Sequence, residues 1–158
     1  MSPSWKEFQE TGKVSPEQAG GDKPGLLVVD DESGIVESLK EMFQEHFTIY
    51  HTTSSNEALE LFKRHTPKLV ISDQRMPELS GLDLFARIKE ISPDSVRILI
   101  TGYSDINVAI SAINDELVWK YITKPWDHAE LKKLVLEAGL ERVKKGDPPD
   151  VWKGLLGM

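Results

Sequence analysis

The sequence lacks cysteine, a long apolar run and an excess of positive charge, and each absence excludes a class of protein. Without cysteine there is no disulfide framework and no thiolate chemistry. No uninterrupted apolar stretch approaches the roughly 18 residues of a membrane span, and the N-terminus MSPSWKEFQE lacks the apolar segment of a secretory signal. A net charge of -7 argues against binding nucleic acid or an anionic membrane through bulk charge. We therefore expect a cytoplasmic protein with metal or protein partners.

The chain is long enough for one well-packed core and hardly for two, at 158 residues of which 39% are hydrophobic. Residues 1–24 mix Gly, Pro, Ser, Glu and Lys with little periodicity, which predicts a flexible N-terminal arm. Residues 25–145 carry the apolar patterns of a folded domain. The prolines of GDPPDVWKGLLGM cannot continue a helix, so residues 146–158 are expected to be a linker or a truncated tail.

Strand-like and helix-like segments alternate five times within the folded domain. Runs such as LLVV, LVIS and RILI are apolar on successive residues, as in strands that are covered on both faces. Ser54 with Glu57, and Asp127 with Glu130, have the spacing of a helix N-cap and its third residue. The alternation predicts an α/β fold in which a parallel sheet with right-handed crossovers carries helices on both sides.

Polar side chains end four of the five predicted strands. They are Asp30 and Asp31 after the first strand, Asp73 at the third, Thr101 at the fourth and Lys124 after the fifth. In an open parallel sheet, ligands bind beyond the carboxyl ends of the strands. Each residue taken alone is as readily explained as a cap, a turn acceptor or an ordinary strand residue. Three carboxylates at one edge repel one another, however, so together they favour a site for a hard cation.

Four separate elements resemble, in order and spacing, the receiver domain of bacterial response regulators. They are VVDDE at 28–32, SDQRMP at 72–77, ILITG at 98–102 and YITKP at 121–125. The resemblance covers about residues 25–145. It implies a flavodoxin-like (βα)5 doubly wound parallel sheet with strand order 2-1-3-4-5. It also implies a phosphoacceptor domain of two-component signal transduction, which receives a phosphoryl group from a sensor histidine kinase or a phosphotransfer protein.

The resemblance assigns roles to the residues around the predicted acceptor. Asp73 is the implied site of phosphorylation, and the implied cofactor is Mg²⁺. Asp31 and Asp73 would bind the ion directly, Asp30 would act mainly through water, and the backbone carbonyl of Arg75 would supply another ligand. The domain is not a conventional enzyme in this scheme, because it catalyses only its own phosphoryl transfer and a slow autodephosphorylation.

A conformational switch is also implied by the resemblance. Thr101 and Lys124 complete the implied catalytic set with Asp73 by contacting phosphoryl oxygens. After phosphorylation, Thr101 would move toward the phosphoryl group and Tyr121 would turn into the space left behind. The output surface would then be the fourth helix, the fifth strand and the fifth helix. Period-2 alternation predicts Trp119 on the same face as Tyr121, with simple packing as its favoured role.

Two features depart from the family's common pattern. Asn114–Leu117 stands where many receivers have a small Ala-Gly-Ala stretch, so the end of the fourth helix is not predicted. Arg75 and Tyr103 lie two residues after Asp73 and Thr101, at positions that in the family modulate access of water to the acyl phosphate. Bulky residues there are expected to slow hydrolysis.

The motifs DQRMP, TGYSD and KPW resemble those of receivers joined to enhancer-dependent transcription activators or to HD-type cyclic dinucleotide phosphodiesterases. The chain is then either a receiver taken from a longer protein with an output domain or a free-standing regulator that acts on a partner protein. A homodimer through the fourth helix, fifth strand and fifth helix is an alternative, because these helices carry charges of both signs. A face with mixed charges is usually only solvated, however.

Three other functions compete with this interpretation. A phosphorylation-independent interaction module of receiver fold is the most serious, although such modules tend to lose an acidic residue or the lysine that this chain retains. An aspartate-nucleophile phosphatase normally needs a second acid where this chain has Arg75. A flavin- or nucleotide-binding protein of similar topology would need a phosphate loop where DDESG places two acids.

Overall fold

The computed structural model describes residues 23–156, in which five strands alternate with helices. The strands are β1 (Gly25–Val29), β2 (Thr48–Thr52), β3 (Leu69–Asp73), β4 (Val96–Thr101) and β5 (Lys120–Thr123). The helices are α1 (Ser33–Phe43), α2 (Ser55–His65), α3 (Gly81–Ile91), α4 (Ile106–Asn114), α5 (His128–Lys144) and α6 (Pro149–Leu156), with a 3₁₀ turn at Tyr103–Asp105 before α4. Residues 1–22, most of the predicted N-terminal arm, lie outside the described residues.

The strands form one parallel sheet in the order β2-β1-β3-β4-β5, which confirms the predicted fold. Side chains alternate between two apolar clusters on opposite faces. In β1, Leu26 and Val28 pack with residues of α1 and α5, whereas Leu27 and Val29 pack with residues of α2, α3 and α4. Burial on both faces explains why the strand sequences are apolar on successive residues.

Both predicted N-cap residues cap their helices, but in neither pair does the glutamate three residues later bond back to the cap. The Ser54 hydroxyl accepts a hydrogen bond from the Glu57 backbone N–H at 3.1 Å, and Asp127 accepts one from Ala129 N–H at 2.8 Å. The Glu57 carboxylate does not return to Ser54 but accepts from the Thr52 hydroxyl. The cap therefore joins the end of β2 to the start of α2.

A buried arginine fixes the loop that follows α4, the segment that the sequence left unpredicted. The Arg97 side chain on β4 donates to the carbonyl oxygens of Leu117 at 2.8 Å, Ser95 at 3.0 Å and Glu116 at 3.3 Å. Glu116 adopts a φ of 62°, a left-handed conformation that ends the helix at Asn114. Burial lowers the pKa of Arg97, but five donors in a fixed fork suit a guanidinium to this cluster of carbonyls.

The C-terminal segment differs from the expected linker. Helix α5 ends at Lys144 as the prolines predict, but residues 149–156 then form α6. Trp152 is 1% exposed, packs edge to face on Phe47 at 6.0 Å and donates from its indole to Asp147 at 3.0 Å. A second helix forms because Pro149 occupies the first position of α6, where the missing N–H is not needed. None of the helices in residues 23–156 has the length and apolar character required to cross a membrane.

Candidate functional site

The carboxyl ends of the strands bring the predicted charged residues into contact. Asp30 directly follows β1, Asp73 ends β3 and Lys124 directly follows β5. The Lys124 ammonium lies 3.0 Å from Asp30 Oδ2 and 3.3 Å from Asp73 Oδ2. The backbone fixes this geometry, because Lys124 N–H donates to the Thr101 carbonyl at 2.9 Å in continuation of the β4–β5 pairing.

Asp73 is 6% exposed and lies at a cleft of about 360 Å³. Its Oδ1 accepts a hydrogen bond from Gln74 N–H at 2.9 Å, which leaves Oδ2 toward Lys124. Burial raises the pKa of Asp73, and the charge of Lys124 opposes that rise. The cleft is lined by Asp31, Glu32, Asp73, Gln74, Arg75, Gly102, Ser104, Asp105 and Lys124.

Asp30 is the most buried carboxylate of the site, with no exposed surface. Its Oδ1 accepts from Glu32 N–H at 2.9 Å, whereas Oδ2 accepts no hydrogen bond of regular geometry from the described residues. Burial raises the pKa of Asp30 to about 6, an effect that outweighs the nearby Lys124 ammonium. The buried carboxylate is therefore held in a position that is unfavourable for its charge.

A cation would find oxygen ligands beside this carboxylate. Oxygens of Asp30, Asp31 and Glu32 lie within 4.8 Å of one another, and Asp31 and Glu32 are exposed at the cleft. Carboxylate oxygens suit a hard divalent ion. Glu32 was not predicted as a ligand, since the predicted third acid was Asp73. The Glu32 carboxylate also lies 3.5 Å from the Lys124 ammonium. The only feature of the sequence that indicates a role for Glu32 is its position directly after Asp30 and Asp31.

The structure places the two predicted switch residues differently with respect to solvent. Thr101 is fully buried, and its hydroxyl donates to the Gly102 carbonyl at 3.3 Å. Tyr121 is half-buried against the apolar cluster that contains α4 residues.

Trp119 packs against the cluster on the other face, so the prediction that it shares a face with Tyr121 is wrong. The alternation fails because regular β5 begins only at Lys120.

Gly81 supports the backbone at Asp73, although Gly81 was not among the predicted site residues. A Cβ at this position would lie 2.4 Å from the Asp73 carbonyl oxygen, and the Gly81 N–H donates to the Gln74 carbonyl at 2.9 Å. The start of α3 therefore packs directly on the backbone that carries Asp73. A signal was present, since Ser80 and Asp83 have N-cap spacing and the Ser80 hydroxyl accepts from Asp83 N–H at 3.1 Å.

Arg75 forms an ion pair at the rim of the cleft. Its Nε lies 2.7 Å from Asp105 Oδ2 and its Nη2 lies 3.0 Å from Asp105 Oδ1. The hydrogen bonds from Arg75 lower the pKa of Asp105. Tyr103, the other predicted bulky neighbour, is 73% exposed. The sequence analysis named Arg75 but did not predict Asp105 as its partner.

Comparison with known proteins gives one consistent family. Residues 26–136 match the family model of the response regulator receiver domain. The chain is 36% identical over 113 residues to the hydrogenase transcriptional regulatory protein HoxA of Bradyrhizobium diazoefficiens, covering 72% of this chain and 23% of that protein. It is 33% identical over 114 residues to the transcriptional regulatory protein GlrR of Escherichia coli, covering 72% and 26%. The chain thus spans about a quarter of these regulators.

Solved structures with the same fold include receiver domains from different proteins. A response regulator receiver domain protein from Clostridium thermocellum superposes with a TM-score of 0.71 at 32% identity, covering 77% of this chain and 97% of that chain. The signal receiver domain of an HD domain-containing protein from Pseudomonas fluorescens gives 0.72 at 29% identity, covering 80% and 95%.

Proposed function

Since the chain belongs to the response regulator receiver domain family, we propose that Asp73 accepts a phosphoryl group from a sensor histidine kinase or a phosphotransfer protein. One observation carries the proposal: Lys124 holds its ammonium 3.3 Å from the Asp73 carboxylate, at a cleft open to solvent. A nucleophile and a cation are thus side by side at a site that a phosphoryl donor can reach.

The chemistry follows from the positions of these two side chains. A carboxylate oxygen of Asp73 forms a bond to phosphorus while the bond between phosphorus and the donor's nitrogen breaks. Gln74 N–H fixes the orientation of the carboxylate. Burial opposes the charge of Lys124, but its contacts with Asp30 and Asp73 raise its pKa, so the ammonium stays charged. Lys124 then offsets negative charge on the transferring group.

Mg²⁺ fits the acidic residues of this site. We assign Asp31, Asp73 and the backbone carbonyl of Arg75 as direct ligands, with Asp30 acting mainly through water. The support is the group of carboxylate oxygens from Asp30, Asp31 and Glu32, which lie within 4.8 Å of one another, and the cleft that Asp31 shares with Asp73 and Arg75. When bound, the ion neutralises repulsion between the carboxylates and the anionic phosphoryl group.

The signal would leave the site through Thr101 and Tyr121. Thr101 is buried beside the cleft residue Gly102, and Tyr121 is half-buried against the cluster that includes α4. A new phosphoryl charge at Asp73 would draw the Thr101 hydroxyl and change the surface of α4, β5 and α5.

We expect phosphorylation to shift amide resonances of α4 and β5 in the native chain and to shift them much less in Thr101→Ala.

The partner that reads this surface is an output domain or a separate protein. The curated relatives are longer transcriptional regulators, and one structural neighbour belongs to an HD domain-containing protein. We propose that residues 25–145 are the receiver unit of such a system. A homodimer through α4, β5 and α5 is one form that the output can take.

The test is the intact mass of the protein after incubation with Mg²⁺ and acetyl phosphate, a small phosphoryl donor. The native chain should gain one phosphoryl group. Asp73→Asn should gain none, and EDTA should abolish the gain in the native chain. If a folded native chain gains no phosphoryl group from acetyl phosphate or from a kinase, the phosphorylation-independent interaction module replaces this proposal.

A further inference from the structure

Arg75 and Asp105 connect two segments at the mouth of the cleft. Arg75 lies in the loop after β3, two residues from the proposed acceptor, and Asp105 is the residue before α4. Their side chains meet in a two-bond geometry, with nitrogen-to-oxygen distances of 2.7 and 3.0 Å. The planar fork of a guanidinium matches a carboxylate or a phosphoryl group equally well.

The two partners differ in their freedom to move. The Arg75 side chain is 75% exposed, whereas the Asp105 side chain is 14% exposed. The Asp105 side chain is thus largely covered, while Arg75 reaches it through solvent along a flexible stem. Breaking the pair therefore requires only a rotation of the arginine.

The same cleft contains the competing anion. Asp73, Arg75 and Asp105 all line it, and Lys124 and Arg75 are the cations among its described lining residues. A phosphoryl group carries close to two negative charges and three acceptor oxygens, whereas Asp105 offers one charge and two oxygens. Once Asp73 is phosphorylated, the stronger anion for the guanidinium lines the same cleft as Arg75.

We propose that the Arg75–Asp105 pair is a latch, in which phosphorylation of Asp73 draws the Arg75 guanidinium from Asp105 to the phosphoryl oxygens. This inference rests on the function proposed above. Asp105 is the N-cap residue of α4 and its carboxylate makes no capping hydrogen bond. When the latch opens, the side-chain link between the loop after β3 and the start of α4 is lost. The acceptor loop would thereby act on α4 by a route separate from Thr101 and Tyr121.

The test measures binding of beryllium fluoride, a phosphoryl mimic that adds to carboxylates, in the presence of Mg²⁺. Asp105→Asn frees the arginine and should tighten binding about two- to fivefold, the range of an exposed ion pair. Arg75→Gln removes the cation that would bind the mimic and should weaken binding by a similar factor. In the double variant, the gain from Asp105→Asn should disappear. Asp115→Asn, which removes one exposed charge at the other end of α4, should bind like the native chain.

Several results would overturn the latch. If Asp105→Asn tightens binding equally when Arg75 is already glutamine, the effect is general electrostatics and no latch exists. If the Nε–Hε resonance of Arg75 is unchanged by the mimic while the amide of Gln74 shifts, the guanidinium does not move. A native chain that neither binds the mimic nor gains a phosphoryl group refutes the proposed function and the latch together.

Discussion

At the scale of single residues, the buried charge of Asp30 reduces the stability of the fold. Its carboxylate is fully buried, and burial raises its pKa from 3.8 to about 6. Between these two values the unfolded chain releases a proton that the folded chain keeps. The free energy of unfolding therefore falls as the pH rises through this window, and the loss is complete above the folded-state value.

Asp30→Asn should remove this cost without changing the shape of the side chain. In EDTA at pH 7, we expect the free energy of unfolding to rise by about 1 to 3 kcal/mol, since each pKa unit corresponds to about 1.4 kcal/mol. The gain should shrink as the pH falls and vanish below 3.8, where Asp30 of the native sequence is protonated in both the folded and the unfolded state. Urea unfolding at several pH values measures it. A variant that is less stable than the native chain at pH 7 in EDTA would contradict this account.

Gly81→Ala tests how Gly81 supports the backbone that carries Asp73. The new Cβ would lie 2.4 Å from the Asp73 carbonyl oxygen, so α3 or the end of β3 must shift. We expect a loss of stability of about 1 to 3 kcal/mol and slower phosphorylation by acetyl phosphate. Gly34→Ala is the matched control, because nothing lies within 4 Å of its Cβ in α1. Equal stability of the two variants would show that the contact at Gly81 is unimportant.

The sequence predicted the residues of the site better than the contacts between them. Asp30, Asp73 and Lys124 were identifiable because they end strands whose carboxyl ends share one edge of the sheet. Glu32 and Gly81 were not identified, because their roles depend on the loops after β1 and β3. The pairing of Arg75 with Asp105 joins residues 30 positions apart in two loops, and periodicity carries no information on such a contact.

At the scale of elements, apolar periodicity predicted the five strands and the helices between them, but it did not predict where α4 ends. That end depends on Arg97, a side chain from the neighbouring strand that is 4% exposed. Its donors satisfy the carbonyl oxygens of Glu116 and Leu117 after the helix. A helix end that is fixed by a distant side chain leaves no local signal in its own sequence.

Arg97→Lys should therefore destabilise the protein although the charge is kept. A single ammonium cannot reproduce the fork that serves three backbone carbonyl oxygens, and unsatisfied buried groups cost about 1 to 3 kcal/mol. We expect a lower urea midpoint and faster amide exchange in the loop after α4. Arg87→Lys, on the exposed side of α3, should leave both unchanged. If Arg97→Lys also leaves both unchanged, Arg97 does not hold this loop.

At the scale of the whole molecule, α6 closes the core beside α5. Arg142 is 1% exposed and donates to Asp147 through Nε at 3.0 Å and Nη2 at 2.7 Å. Asp147 also accepts from the Trp152 indole, so one carboxylate joins the end of α5 to α6. Sequence analysis identified the prolines as the end of a helix, but a short helix held by tertiary contacts has too few residues for a clear pattern.

Trp152→Ala should show that α6 belongs to the folded unit. Removing a buried tryptophan that packs on Phe47 should reduce the free energy of unfolding by about 3 to 5 kcal/mol. Val151→Ala is the control from the same helix, because Val151 is 37% exposed and should cost little. Thermal and urea unfolding measure the difference. A Trp152→Ala variant as stable as the Val151→Ala variant would restore the interpretation of this segment as a linker.

The most direct test of the account is to locate the phosphoryl group on the chain. Borohydride reduces an aspartyl phosphate to homoserine, and peptide mass spectrometry then identifies the altered position. After treatment with acetyl phosphate and Mg²⁺, we expect homoserine at position 73 of the native chain and at no other aspartate. Homoserine at Asp30 or Asp31, or its absence from a chain that has gained phosphoryl mass, would contradict Asp73 as the acceptor.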